Sequence, residues 1–304
     1  MNCELTSRRH FLRQTVALTA TAFLPLDLLA KPKGLKLGYS AITWGGNDAQ
    51  AIADISALGF KGIQLRANTF GPYKAKPSEL KAMLDEKGLT LAMFSSGNVE
   101  VDPAKEQSTI DMHVAHASFV KALGGSAFQM TNSLRKPGVV PTTDELKRLA
   151  EVMNKIGQQT ADLGVQATYH NHMNQWGETP EEVDVLVQAM NPRYVRLLLD
   201  VAHYHQGGGT PAKAITQYRD SLHALHLKDT MSPIPNNPNP KSYKFVELGQ
   251  GNVDFPAVFA ALEKINFKGW GVIELDAVPD KSRTPLQCGE ITKAYLKEKM
   301  KMAI

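Results

Sequence analysis

The 304 residues are 43% hydrophobic and 21% charged, which excludes a disordered or collagen-like chain and suits one or two folded domains. A unit of this size buries roughly 75% of the surface its unfolded chain exposes and needs no disulfide staple, in keeping with only two cysteines, Cys3 and Cys288. The net charge of +4 is spread over interleaved acidic and basic side chains, and without a long basic run nucleic acid is not expected as a partner.

The first element is an address rather than a part of the fold. Ser7-Arg8-Arg9-His10-Phe11-Leu12-Arg13 sets paired arginines before a moderately apolar run from Val16 to Leu29, broken by Thr19, Thr21, Pro25 and Asp27. That run is too short and too polar for a stable span, which takes about 20 apolar residues, and it reads as an export signal. It resembles the twin-arginine signals that carry already folded bacterial proteins to the periplasm, with cleavage expected after Ala30. On this reading residues 1–30 are a signal peptide and 31–304 a periplasmic domain with no stable membrane span. Loss of three arginines, Glu4 and Asp27 leaves a charge of +3 and one thiol, Cys288, and a metal can be loaded before export.

From Leu35 onward, apolar runs of strand length alternate with segments of helical periodicity. Strands are expected at Lys36–Thr43, Gly62–Arg66, Thr90–Phe94, Ala127–Thr131, Val165–His170, Val195–Asp200, Ala224–Lys228 and Gly271–Leu275, and helices near 48–58, 77–87, 104–123, 142–163, 179–190, 211–220, 254–265 and 284–300. Asp48, Ser78 and Thr142 stand near helix starts, and Gly59, Gly88, Gly124 and Gly164 follow helix ends. Eight strand–helix pairs in about 250 residues predict an α/β fold of one kind, a single (β/α)8 TIM barrel. The alternative is a doubly wound open sheet, but Trp44-Gly45-Gly46-Asn47 after the first strand lacks the G-x-G-x-x-G spacing of a dinucleotide site. Between strand seven and helix seven, Asp229 to Val253 carries Pro233, Pro235, Pro238 and Pro240, which forbid a regular ladder or helix interior. A loop so long reads as a lid or binding loop, with a decoration that touches no ligand as the alternative.

Six of the nine histidines fall between residues 170 and 226, and the informative ones sit at the carboxyl ends of successive strands, where barrels build their sites. Strand five ends in Tyr169-His170-Asn171-His172, with His170 and His172 on one face; strand six ends in Asp200, followed by His203; strand seven gives His226 and Lys228, then Asp229; strand eight gives Glu274, then Asp276. Singly, each has an ordinary explanation as a cap or a hydrogen-bonded core residue. Together, imidazoles and carboxylates converging in a barrel mouth repel or stay undersatisfied without a cation. The donor types suit Mn²⁺ first, with Co²⁺, Fe²⁺, Zn²⁺ or Mg²⁺ as alternatives, and the absence of thiolates argues against a structural zinc site.

The ordered combination of Tyr169-His170-Asn171-His172, Leu197-Leu198-Leu199-Asp200-Val201-Ala202-His203, His226-Leu227-Lys228-Asp229, Gly249-Gln250-Gly251-Asn252-Val253-Asp254-Phe255 and Gly269-Trp270-Gly271-Val272-Ile273-Glu274 resembles the xylose isomerase-like barrels. These include sugar phosphate isomerases/epimerases, hydroxypyruvate isomerase, ketose 3-epimerases and inosose dehydratase. The resemblance spans Leu35 to about Lys299 and implies the barrel, one divalent metal held by strands five to eight, and the ligands His170, Asp200, His226 and Glu274. His170 is also a departure, since sugar epimerases of this family usually carry a glutamate there, paired with the strand-eight glutamate in proton transfer. A dehydratase or lyase, or an isomerase with one base, gains weight; inosose dehydratases also carry a Tyr-His motif on this strand.

The hard step in all these reactions is removal of a proton next to a carbonyl, and a divalent cation stabilises the charge that develops. Glu274 is the expected base, and Lys228 or His203 the proton donor to a leaving hydroxyl. Lys228 could instead pair with Asp229 or Asp200, and His203 could orient Asp200. Sugar sites pair aromatic faces with amides and charges, so Trp44, Arg66, Asn132, Asn171, His172 and Trp176 are expected around the substrate. Gly207-Gly208-Gly209 lacks the Lys-Ser/Thr of a phosphate-binding loop and reads as a turn, so the carbohydrate is expected to be unphosphorylated. The competing readings are a hydrolytic barrel of endonuclease IV type and a sugar-binding barrel without catalysis; the oligomeric state is left open.

Overall fold

A computed structural model describes residues 32–136 and 138–304, so the expected signal peptide and the expected cleavage after Ala30 lie outside the described residues. The chain opens with β1 (Gly34–Ser40), and a 3-10 turn follows at Ala41–Trp44 where the expected strand was to continue to Thr43. The Ser40 hydroxyl accepts from Ile42 N and starts that turn. Then come α1 (Asp48–Leu58), β2 (Gly62–Arg66), α2 (Ala67–Tyr73), α3 (Pro77–Glu86), β3 (Thr90–Val99), α4 (Glu106–Ala122), β4 (Ala127–Asn132) and α5 (Thr143–Ala161). The second half holds β5 (Gln166–His170), α6 (Pro180–Ala189), β6 (Val195–Asp200), α7 (Val201–Gln206), α8 (Pro211–Gln217), β7 (Leu222–Leu227), β8 (Asp229–Met231), β9 (Lys244–Val246), α9 (Phe255–Lys264), β10 (Lys268–Ile273) and α10 (Pro285–Glu298).

Eight of the strands close into a parallel barrel in the order β1-β10-β7-β6-β5-β4-β3-β2, which is the expected single (β/α)8 TIM barrel and excludes the open sheet. The last barrel strand begins earlier than expected, at Lys268, because Gly269 and Trp270 pair with β1 and, for Trp270, with β7. Side chains of Leu35, Tyr39, Ile63, Phe94, Phe128, Tyr169, Leu197, Leu199, Leu225 and Ile273 face the helices in one large apolar layer. A separate small cluster, Ala92, Met93, Ala127, Leu198, Ala224 and Val272 over Trp270, plugs the barrel interior. Gly62 has to be a glycine because a Cβ there would run into the Trp270 ring.

The interior alternation places the site. Two residues beyond a small or apolar inward side chain, each strand presents a polar one: Ala127 then Gln129, Thr168 then His170, Leu198 then Asp200, Ala224 then His226, Val272 then Glu274. The helices that hold this frame start with side-chain caps as their sequences require. Asn47 accepts from Gln50 N, and Thr142 with Glu145 and Thr284 with Gln287 form reciprocal capping boxes.

The 229–253 segment contains a short antiparallel ladder after all, β8 with β9, but it forms outside the prolines, which occupy the connection between the two strands. Asp229 holds the segment down. Its Oδ1 accepts from Thr230 N at 2.9 Å and Val253 N at 3.1 Å, and its Oδ2 accepts from Gly249 N and Gly251 N, both at 2.9 Å. Gly251 approaches so closely that a Cβ would collide with the carboxylate and with Thr230 O. Among the described residues no helix is long and apolar enough to cross a membrane.

Candidate metal and catalytic site

Four inward side chains from β5, β6, β7 and the end of β10 meet in the mouth. His170, Asp200, His226 and Glu274 are all buried, and one ligand atom from each lies within 4.8 Å of the others. His170 Nε2 is 3.3 Å from Asp200 Oδ2, and His226 Nδ1 is 3.3 Å from Glu274 Oε1 and 3.6 Å from Asp200 Oδ2. Asp200 is also the cap of α7: its Oδ1 accepts from Ala202 N at 2.9 Å and His203 N at 2.8 Å, which leaves Oδ2 for the cluster.

The fit to a cation shows in two features. His226 Nδ1 is buried, faces both carboxylates and has no hydrogen-bond partner. The acidity of the imidazoles is split as well. Burial pushes His170 down to about 4, with His226 nearby adding to the effect. Burial pulls the same way on His226, but Glu274 and Asp200 more than offset it and hold its pKa up to about 9. Two imidazoles with two carboxylates form a donor set suited to a divalent ion.

Lys228, fully buried just beyond β7, donates to Asp276 Oδ1 at 2.6 Å and Glu274 Oε1 at 3.4 Å and lies 3.2 Å from His203 Nε2. Its ion pair is therefore with Asp276 and Glu274, not with Asp229 or Asp200. Phe245, from the proline-rich excursion, covers Lys228 Nζ at 4.1 Å from the ring centre and meets the His203 ring edge-on at 4.9 Å. The long loop thus contributes a wall to the site. His203 Nδ1 accepts from Met173 N at 3.2 Å, and its Nε2 stands 3.8 Å from Asp200 Oδ2.

The expected substrate residues divide. His172 reaches the cluster: its ring lies 3.8 Å from that of His203, it is half-buried, and its Nδ1–H donates to Met173 O at 2.7 Å, leaving Nε2 as an acceptor. Asn171 does not face the mouth. Its amide forms a reciprocal pair with the backbone of Asp200, at 2.9 and 3.2 Å, and ties β5 to β6. Asn132 makes the same kind of clip to the backbone of Trp176, at 2.9 and 3.0 Å, and Trp176 packs half-buried against the outer apolar layer. Trp44 donates from Nε1 to Asp54 Oδ2 at 2.7 Å and packs on Tyr39, and Arg66 stands at the start of α2. Among the expected substrate residues, His172 is placed against the cluster, Asn171 and Asn132 make backbone clips, and Trp44 and Trp176 pack on the apolar layer.

Two buried interior amides were missed. Gln64 on β2 donates to Glu274 Oε2 at 2.9 Å and faces His226 Nε2 through its Oε1 at 2.8 Å, and Gln129 on β4 lies 3.4 Å from His170 Nδ1. A lone glutamine inside Gly62-Ile63-Gln64-Leu65 is the signal that could have found the first, since an unpartnered amide is costly in a barrel interior. His113 and His116 lie elsewhere, buried on Ser96 between α4 and β3.

The matching family model is that of the xylose isomerase-like TIM barrel, over residues 52–292. The chain belongs to this family. Among curated relatives, it is 27% identical over 296 residues to an inosose dehydratase of Clostridium botulinum (strain Alaska E43 / Type E3), covering 87% of this chain and 97% of that protein. Similar solved folds include the IOLI protein with a bound zinc atom, at a TM-score of 0.71 and 18% identity over 87% of this chain and 98% of that one. A D-allulose 3-epimerase from Methylomonas sp. superposes with a TM-score of 0.69 at 22% identity, over 89% and 99% of the two chains. The relatives named in these comparisons are an inosose dehydratase, a sugar phosphate isomerase/epimerase and a D-allulose 3-epimerase.

Proposed function

We propose that the protein is a divalent-metal-dependent enzyme that removes the proton next to the carbonyl of an unphosphorylated keto-sugar or keto-polyol and expels a β-substituent, a dehydratase or lyase. The observation that carries this reading is the buried His170–Asp200–His226–Glu274 cluster with its unpartnered His226 Nδ1. A divalent cation there, with Mn²⁺ favoured by the oxygen and imidazole donors, would supply Lewis acidity toward the substrate carbonyl. Glu274 takes the α-proton. The C–H electron pair becomes the carbon–carbon double bond of an enediolate, which then expels the β-hydroxyl. Lys228 Nζ, or His203, gives that hydroxyl a proton so that it leaves as water. His172 Nε2 receives a sugar hydroxyl.

The inosose dehydratase relatives support the elimination outcome, as does the histidine at the strand-five position. With His170 there, Glu274 has no matching carboxylate across the substrate, so clean two-base epimerisation is disfavoured. The endonuclease-type reading would need a multi-metal cluster, and one four-residue group of ligand type is present among the described residues. The paired arginines before an apolar run support a periplasmic location reached by the twin-arginine route.

The deciding experiment is a keto-sugar and keto-polyol panel followed by proton NMR in D₂O with added Mn²⁺. Loss of the α-proton signal with growth of an unsaturated product is expected. Glu274→Gln should abolish exchange, and Lys228→Ala should retain exchange and slow elimination. Rapid equilibration of two epimers without unsaturated product would overturn the lyase reading, and no exchange on any substrate would leave a sugar-binding barrel.

A further inference from the structure

Gln64 and Gln129 have no place in the proton chemistry, yet each touches one imidazole of the cluster from behind. Gln64 Nε2 donates to Glu274 Oε2 at 2.9 Å and to Ser40 Oγ at 3.2 Å. An ionised carboxylate only accepts, so the end facing Glu274 must be the NH₂ and the end facing His226 must be the carbonyl. That carbonyl, 2.8 Å from His226 Nε2, accepts only from an N–H, so the proton of a neutral His226 is on Nε2. The lone pair is then on Nδ1, the buried atom that has no partner and faces Asp200 and Glu274.

Gln129 stands in the same relation to His170. Its NH₂ is placed 3.4 Å from His170 Nδ1 and 3.3 Å from Ser95 Oγ, while its Oε1 is buried without a partner. With the amide turned over, Oε1 takes the place 3.4 Å from His170 Nδ1 and accepts from it, which frees His170 Nε2, 3.3 Å from Asp200 Oδ2 on the cluster side, and moves the NH₂ to the unpartnered place. Both imidazoles then present a lone pair inward while an amide holds the proton behind each. Gln64 does more, because the same side chain fixes Glu274 and couples a carboxylate ligand to an imidazole ligand from strands that are distant in sequence.

We infer that Gln64 and Gln129 are positioning residues for the cation, with Gln64 the stronger of the two; the inference rests on the metal reading above. The test uses the mature protein stripped of metal and titrated with Mn²⁺ and Zn²⁺ against a chromophoric chelator, with the visible absorption of the Co²⁺-loaded form as a second readout and metal-free melting as a third. Gln64→Leu should bind each ion about 10–100-fold more weakly and shift the Co²⁺ spectrum. Gln129→Leu, which touches a single imidazole, should show a smaller loss than Gln64→Leu. If the leucine variant does not fold, Gln64→Asn, one methylene too short to span Glu274 and His226, decides on the same readouts. An amide with a merely structural role would lower metal-free melting and leave affinity and spectrum at wild-type values, and that result overturns the inference. If the wild-type protein binds none of the three ions, the metal reading fails and this inference with it.

Discussion

Asp229→Asn isolates what the long excursion does for the site. The carboxylate accepts four backbone N–H groups, two on each oxygen. Burial pushes its pKa up, and the N–H groups from Val253, Gly251, Thr230 and Gly249 pull against that rise without cancelling it. Asparagine keeps the shape and one oxygen, but its NH₂ must then face two donors, the Gly249 and Gly251 pair being the more exposed. Hydrogen bonds to a charged acceptor contribute roughly 1.5–3 kcal/mol each, and the partial exposure of these two argues for the low end, a total of about 3 kcal/mol. For a domain of this size that corresponds to a fall in melting temperature of about 6–12 °C. Circular dichroism melts measure it, and limited proteolysis should show new cleavage between 232 and 243. Metal content should stay at the wild-type level, since Asp229 makes no hydrogen bond with the four ligand-type residues, while turnover drops because Phe245 loses its seat over Lys228. A melting temperature within about 2 °C of wild type would refute the claim that this carboxylate anchors the excursion.

Elemental analysis of protein purified without chelator should find close to one divalent transition metal per chain, and Asp200→Ala or Glu274→Ala should each remove most of it; unchanged content in both variants would refute the ligand set. His170→Ala should lose the metal while His172→Ala keeps it and loses turnover, and the reverse pattern would reassign the strand-five ligand. Because His226 is held at about 9 without metal, its proton must leave on binding, so calorimetric Mn²⁺ affinity should rise about tenfold per pH unit from 6.5 toward 9 with a proton released; a flat profile would show His226 already neutral. The sign for the metal-free fold is opposite, since a raised histidine pKa stabilises fully below about 6.5 and that stabilisation is lost as pH climbs through 9. Replacing both Arg8 and Arg9 by lysine should trap precursor in the cytoplasm and leave no mature N-terminus near Lys31, as cell fractionation and N-terminal sequencing would report; normal export would count against the twin-arginine route.

Period-two alternation carried most of what could be read in advance. It paired His170 with His172 and His226 with Lys228 on one face each, the resemblance to the family supplied Asp200 and Glu274, and barrel closure gathers the four ligand-type residues because β5, β6, β7 and β10 are successive neighbours. The same rule, applied consistently, also turns Asn171 outward, one residue from His170, and sets Asn132 out of phase with Gln129; treating every polar residue near a strand end as a substrate contact overlooked that parity. Trp44 had no parity to read, since it sits in a 3-10 turn rather than a strand. Gln64 was hidden for a different reason. Its partners Glu274 and His226 are 210 and 162 residues away, and it is the closed ring, with β1 between β2 and β10, that brings β2 within reach of both.

Charge gives the strand-five histidine its chemical meaning. Asp200 and Glu274 together would be neutralised by one divalent ion, and Lys228 is balanced by Asp276 at 2.6 Å, so a metal-loaded site has almost no net charge before the reaction. The enediolate then brings the uncompensated negative charge into the mouth. A glutamate in place of His170 would already have supplied a further negative charge within 4.8 Å of the other ligand atoms, and at an effective dielectric of about 20 two such charges repel by roughly 3–4 kcal/mol. Histidine therefore removes a base from one side of the substrate and at the same time makes the centre a better sink for the anion. In the proposed reaction the charge effect would lower the barrier to forming the enediolate at Glu274, and the missing carboxyl group would leave the intermediate with no carboxylic acid opposite to return a proton. What remains in reach is the Lys228–His203 pair, whose protons suit a departing hydroxyl, and this is why the proposed reaction is an elimination.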